Sequence, residues 1–379
     1  MQTTKIIIIG GGASALALGY FLKKDFMILE ANHTCGAKIA VSGGGRCNFT
    51  NESVSADNYT GDKDFISGVL DGFGVGDVLE FARGLGATFE IRKNRQYFCK
   101  KSAKELLDPL VSHLKHHIRT NAKVLEVSKG KDGFVVKTDK GEYAAKKVVV
   151  ASGGISYPVL GASDVGYRIA QAFGHKIVTP RPALVGFTVQ PPEFWFKALS
   201  GVSVQTVVSV AGKSFRENIL FAHKGVSGPA ILNASLYWEK GSIGIDFLPD
   251  FSFEKIQKNS QKQITTLLPL PKNFIKAFLD SVGLVDKRFC DVDEGDMQKL
   301  SKLKNYEFAP AGTFGLSKAE ITKGGVATAD IDPDTMESRF VGGLYFVGEV
   351  LDVNGELGGY NFHFAFASAA VCAKGLSAS

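Results

Sequence analysis

Cysteine is scarce in this chain, and the few present are poorly placed for chemistry that needs them in sets. The five are Cys35, Cys47, Cys99, Cys290 and Cys372. Their number is odd and no two are spaced as CxxC or CxxxxC, which leaves a disulfide framework, a metal-binding knuckle and a dithiol redox pair without support. A reducing compartment is the simplest setting. Excess charge is also lacking: 44 Lys and Arg against 38 Asp and Glu give +6. That suits phosphate-bearing ligands but does not by itself imply nucleic-acid binding. No membrane span is expected either. Residues 6–22, "IIIIGGGASALALGYFL", carry no charge between Lys5 and Lys23-Lys24. They break into a β-branched run, a glycine turn and a helix-like run, which a spanning helix would not do. A cytoplasmic protein is expected.

Glycine, by contrast, is plentiful at 43 of 379 residues, and the excess lies in clusters. Clustering points to places where something approaches the backbone closely. The length allows ~2 to 3 domains. Ile6–Ile9 read as a buried parallel strand. Gly10, Gly12 and Ala15 follow at GxGxxA spacing: Gly10 for the tight turn, Gly12 for close approach of a pyrophosphate, Ala15 for helix–strand packing. The helix that opens here points its free N–H groups at the phosphates. A second strand, 26–29, ends at Glu30, an acid placed to bind ribose hydroxyls.

Two later stretches extend this site. "KKVVVASGGISYP" (146–158) is a buried strand ending in small residues, with Ala151, Gly153 and Gly154 able to pass near the same ligand. "GGLYFVGEVLDVNGELGGYNFHFAFASAA" (342–370) reads as a strand, a polar turn with Glu349 and Asp352, and an apolar helix opened by Gly358-Gly359. Ribityl hydroxyls would meet Glu349 or Asp352. The helix start at Gly359–Asn361 would face a ring edge where negative charge develops. A nicotinamide dinucleotide needs no such C-terminal clamp, whereas FAD does.

Here the chain resembles a known family. "GGGASA", "GGGRCNFTN", "ASGGISYP", "HKGVSGPA", "ITKGGV" and "GEVLDVNGELGGYN" occur in the order seen in the BaiN/RdsA-type NAD(P)/FAD-dependent oxidoreductases, a bacterial flavoprotein group. The resemblance runs from about residue 5 to about residue 375. It implies an α/β fold: a Rossmann-like FAD-binding domain, a parallel sheet with helices, formed by both chain ends, with a β-rich, barrel-like inserted domain and a small helical segment. The expected division is 1–182 with 330–379, 183–250 with 308–329, and 251–307. The short alternating strands of 183–250 and the helical periodicity of 252–306 agree with it. The resemblance implies FAD contacts at Gly12, Ser14, Glu30, Lys38, Arg46, Asn48, Gly348, Glu349, Gly358, Gly359, Tyr360 and Asn361. Ala13, Ser42, Gly44 and Val124 complete the candidate set, with no metal.

The stretch "VSGGGRCNFTN" (41–51) should then run along the pyrophosphate and ribityl toward the ring, its glycines bringing N–H groups to the ligand. Arg46 would offset pyrophosphate charge with Lys38 as helper, and Asn48 can donate and accept near the ring's polar edge. Candidate catalytic residues are Cys47, His223, His363 and Tyr360; for each the alternative is packing, or for His223 a turn contact. Tyr157 flanks the same path. Between 181 and 330 no second GxGxxG follows a buried strand, so any NAD(P)H would visit the flavin face transiently or bind in an unfamiliar way. "IRKNRQYFCKKSAKELL" (91–107), from Arg92 to Lys104, interleaves bases with aromatics. It suits either an RNA phosphate track or a solvated hairpin leading into a helix. Three functions remain open. One is a reductase that takes electrons from NAD(P)H and hands hydride to an unsaturated acceptor, either uridine in ribosomal RNA or a small metabolite. The others are a flavin oxidase of a small amine or amino acid, and a non-catalytic FAD-stabilised binding module.

Overall fold

Parallel pairing at the N-terminal strand organises the first of two compact units. The computed structural model describes residues 2–22 and 25–378; Lys23 and Lys24, the basic flank noted above, lie outside the described residues. The first unit comprises Met1–Arg181 and Ile321–Ser379, the second Pro182–Glu320. Strand Gln2–Ile9 pairs in parallel with Phe26–Leu29 on one side and Gly141–Val150 on the other. The seven-stranded sheet runs Ile118–Arg119, Phe26–Leu29, Gln2–Ile9, Gly141–Val150, Gly133–Thr138, Val124–Gly130, and Leu344–Phe346 also joins Gly141–Val150 in parallel. On the edge away from Gln2–Ile9, strand Gly141–Val150 serves two partners along its length. Its first half is antiparallel to Gly133–Thr138 and its last three residues are parallel to Leu344–Phe346.

Ile6–Ile9, Val148–Val150 and Leu344–Phe346 are buried throughout, as expected of parallel strands covered on both faces. The C-terminal helix Tyr360–Ala378 packs on helix Ala13–Phe21. Phe364, Phe366, Ala367, Ala370, Val371 and Leu376 are all buried, so the helix lies inside the unit, apolar nearly all round. Both chain ends therefore build one domain. Strand Ile321–Val326 pairs with Ile177–Ala183. This draws residues 321–329 into the first unit, earlier than the 330 boundary expected from sequence.

The first unit also holds a second, smaller sheet. Strands Asn48–Asn51, Gln96–Cys99 and Phe89–Arg92 form it in that order, antiparallel throughout.

The second unit holds a seven-stranded antiparallel sheet in the order Tyr306–Phe308, Ile243–Asp246, Ser203–Val210, Lys213–Ala222, Gly225–Ser227, Phe187–Thr188, Gly312–Thr313. The helices of 251–307 are not a separate piece. Ile264, Phe274 and Phe278 sit in the same apolar cluster as Phe221 and Phe308 of the sheet, since helices this short need a neighbour to bury their apolar face. Among the described residues no helix is long and apolar enough to cross a membrane.

Candidate functional site

The turn between Ile9 and Ala13 is closed from both sides. Gly10 N–H donates to Leu29 O at 2.9 Å, and a side chain on Gly10 would stand 2.6 Å from Ala151 O. Glu30 is buried and accepts from Gly11 N at 2.6 Å and Asn32 N at 2.7 Å. Helix Ala13–Phe21 starts at Gly12 with no side-chain cap and no acid in its first turn. Its first N–H groups, at Ala13, Ser14 and Ala15, have no side-chain cap. A side chain placed on Gly12 would meet nothing within 4 Å. Uncapped N–H groups beneath open space fit an anionic phosphate pair. Val124 opens its strand two residues beyond Ala122, whose N–H donates to Glu30 O at 2.9 Å.

The glycine run makes a left-handed turn within Ala37–Gly45. Gly43, Gly44 and Gly45 have φ of 56°, 66° and 81°, a conformation that L side chains rarely adopt. Cys47 N–H closes the turn on Ser42 O at 3.0 Å, and the Ser42 hydroxyl donates to Ile39 O. Gly43 lies against Phe98, whose ring would be 2.9 Å from an added Cβ, whereas Gly44 and Gly153 each face open space. Asn48 bonds Gln96 at 2.7 Å and its amide lies 3.2 Å from Gly359 N. Gly359 has φ +92°, and a side chain there would lie 2.6 Å from Thr50 O. Asn361 clamps this corner, accepting from Gly355 N at 2.8 Å and donating to Gly355 O at 2.9 Å. The glycine turn, Asn48 and the start of the C-terminal helix are thus brought together.

Lys38 and Glu349 meet at a third point. Lys38 Nζ lies 2.8 Å from Glu349 Oε2 and 2.7 Å from Ser156 Oγ. Glu349 Oε1 also accepts from Thr322 N at 3.0 Å and Ser156 Oγ at 3.2 Å. Thr322 Oγ1 in turn accepts from the N–H groups of Ile155 and Ser156. Ser156 and Thr322 were not singled out from sequence, although both fall inside quoted motifs. Gly348 packs on Ser14, 2.6 Å from where its Cβ would be, which joins the C-terminal strand end to the first helix. Asp352 accepts from Asn354 Nδ2 at 2.9 Å. Buried Tyr167, missed from sequence, carries an unpartnered hydroxyl whose pKa is raised by burial first, then by Glu349 and Asp352.

The catalytic candidates fare differently. Cys47 is fully buried, and burial pushes its thiol up to about 12, so it is uncharged at neutral pH. His363 has no exposed surface. Its Nδ1 lies 2.7 Å from Thr50 Oγ1, Nε2 has no partner, and burial lowers its pKa to about 4. Tyr360 is buried and raised to about 12, by burial and then by Glu356; its backbone carbonyl accepts from Tyr59 OH at 2.9 Å. His223 is exposed on the turn joining Lys213–Ala222 to Gly225–Ser227 of the second unit. Tyr157 has φ 55° beside Pro158. Among the described residues no group of side chains could hold a metal ion.

The basic stretch forms the hairpin Phe89–Cys99, leading into helix Lys104–Leu114. The hairpin pairs onto Asn48–Asn51, the strand that leaves the glycine turn. Arg92 lies 2.7 Å from Glu90, Arg46 reaches the same carboxylate at 3.5 Å, and Arg95 lies 3.6 Å from Glu52. Lys100, Lys101 and Lys104 are exposed.

A family model described as the HI0933-like protein Rossmann domain matches residues 4–375. The chain is 36% identical to the ribosomal RNA dihydrouridine synthase of Haemophilus influenzae, covering 99% of each. It is 30% identical to the 3-dehydro-bile acid delta(4,6)-reductase of Clostridium scindens, covering 96% of this chain and 97% of that one. Among solved structures, its fold is similar to that of a 3-ketosteroid-delta4-(5alpha)-dehydrogenase from Rhodococcus jostii, with a TM-score of 0.50 at 12% identity, covering 99% and 96% of the two chains.

Proposed function

The chain belongs to this family, the Rossmann-fold flavoprotein oxidoreductases resembled by its motifs, and from that premise we propose that NAD(P)H reduces its FAD and that uridine in ribosomal RNA is the acceptor. The observation that carries the acceptor is the basic, aromatic hairpin Phe89–Cys99 paired onto the strand that leaves the glycine turn. Surface suited to a phosphate backbone and stacked bases stands next to the place for the ring. The matched relatives support the same class of chemistry, since one is named a ribosomal RNA dihydrouridine synthase and the other a 3-dehydro-bile acid delta(4,6)-reductase.

Bound FAD would supply a hydride for a carbon–carbon double bond. The chain's own residues do the rest. Gly12 and the first-turn N–H groups of Ala13–Phe21 hold the pyrophosphate. Glu30 accepts from two backbone N–H groups and still has lone pairs for ribose hydroxyls, because a carboxylate offers about four acceptor positions. Lys38, Glu349 and Ser156 form the polar floor for the ribityl. Asn48 and the start of the helix Tyr360–Ala378 face the polar edge of the ring, where the helix dipole favours negative charge. Cys47 and His363 are assigned to packing: a buried neutral thiol is a poor nucleophile, and a fully buried imidazole reaches nothing that arrives from solvent.

Anaerobic stopped-flow mixing of the yellow protein with NADPH, and separately NADH, is the test. Rapid bleaching of the flavin band is expected, with dihydrouridine absent from ribosomal RNA of a strain lacking the protein. Flavin that stays oxidised with both nucleotides, but bleaches with a small amine and then releases peroxide in air, would replace this reading with an oxidase.

A further inference from the structure

Two arginines converge on one oxygen beside the glycine turn. Arg92 Nε lies 2.7 Å and Arg46 NH1 3.5 Å from Glu90 Oε1. Arg46 comes from the end of the turn, Glu90 and Arg92 from the hairpin. All three side chains are between 36% and 43% exposed, so the cluster is open to a ligand from solvent. The Arg92 guanidinium lies over the Phe98 ring at 5.1 Å, and Phe98 packs on Gly43. The guanidinium is therefore held in place before anything binds, which lowers the ordering cost of a new contact. Glu90 is kept ionised: its carboxyl lies below the usual range through the Arg92 hydrogen bond above all, with the Arg92, Arg46 and Lys100 charges adding. Three cations surround one anion, so positive charge is left over.

We propose that Arg46 and Arg92 form a binding site for a backbone phosphate of the RNA substrate, and that Glu90 is the resident counter-ion which that phosphate displaces. The site rests on the RNA reading above. A phosphodiester carries the same single charge as the carboxylate and presents two free oxygens to a guanidinium fork. Exchange keeps the charge balanced and ties entry of the RNA to a defined point beside the ring. Glu90 thereby sets the affinity: it weakens binding of any polyanion that cannot reach the fork and bring Arg46 and Arg92 together.

Filter binding of ribosomal RNA from a strain lacking the protein, repeated across a range of KCl concentrations, tests this. The FAD-loaded wild type, Glu90→Gln and Arg92→Ala are compared. Glu90→Gln is expected to bind several-fold tighter, with a steeper dependence on salt. Arg92→Ala should bind roughly tenfold weaker, its log–log salt slope smaller by about one contact. Flavin content and bleaching by NADPH should be unchanged in both. Wild-type-like affinity and slope in both variants overturn the site while leaving the reading of function intact. Wild-type protein that binds no ribosomal RNA removes that reading, and the site with it. Unchanged RNA binding combined with altered bleaching by NADPH but not NADH would assign the fork to a nucleotide 2′-phosphate and overturn the proposal.

Discussion

Glu30 closes a backbone corner by satisfying Gly11 and Asn32 N–H with its two oxygens, the corner proposed above to hold the ribose. Glu30→Gln keeps the shape but replaces one acceptor with a donor facing an N–H. One buried N–H is then left unpaired, and the ribose hydroxyls lose a charged acceptor, each at about 1–3 kcal/mol. FAD affinity should fall by roughly 10- to 100-fold, read by titrating apoprotein with FAD and following fluorescence quenching; a variant that holds FAD as tightly as wild type would remove Glu30 from the cofactor site. His363 makes a prediction of the opposite kind, about folding rather than binding. Burial holds its imidazole neutral down to about pH 4, whereas an unfolded histidine titrates near 6.5. The folded value is depressed, so the stability it contributes is complete above about pH 6.5 and is lost as pH falls toward 4. The full effect is about 3 kcal/mol. His175 shifts in the same direction through burial and adds to the slope. Thermal midpoints measured from pH 7 to pH 4 should fall steeply for wild type and less steeply for His363→Gln.

At the scale of elements, two glycines separate binding from folding. Gly12 has φ −81° and open space where a side chain would stand. Gly12→Ala should leave the melting temperature of the apoprotein within about a degree of wild type, yet weaken FAD at least tenfold, because the methyl occupies the phosphate's approach. Gly359→Ala combines a left-handed φ with a clash on Thr50 O, so it should destabilise the apoprotein itself by about 2 kcal/mol or more. Melting curves with and without FAD distinguish the two. This contrast also marks what the sequence could tell. The strand, turn and helix at 2–21 and the C-terminal strand and helix were legible because each is local: a β-branched run, glycines at fixed offsets, an apolar helix. Pairings across long separations were not. Lys38 meets Glu349, 311 positions away, and no periodicity announces it. The hairpin 89–99 showed its charges, but its place against Asn48–Asn51 depends on strand pairing that a single sequence leaves open. Arg46 looked like a partner for pyrophosphate, and its bond to Glu90 depends on that same pairing. Within 251–307 the periodicity of Lys272–Ser281 does mark a helix, but of 253–268 only the turn Phe253–Lys255 and the short Ile264–Leu267 are helical, and the shared core with the antiparallel sheet came only from packing.

The whole molecule divides its labour between two cores. The apolar cluster of the first unit and that of the second have no residue in common. Every candidate FAD contact, from Gly10 to Asn361, belongs to residues 1–181 or 321–379. The excursion through the second unit leaves and returns at one point, where Glu320 N donates to Leu184 O at 3.2 Å. Replacing residues 185–319 with a short glycine–serine loop should therefore close without strain, since bringing together ends that already touch costs little loop entropy. The shortened protein is expected to fold, keep its parallel sheet and bind FAD within about tenfold of the full chain, which a flavin absorbance ratio after gel filtration would measure. It should also keep the hairpin and its arginines, and so bind ribosomal RNA, while losing whatever the second unit contributes, His223 included. A shortened protein that folds but stays colourless would mean that the second unit supplies part of the cofactor site. One that binds both FAD and RNA yet forms no dihydrouridine would assign to the second unit a role in turnover rather than in binding.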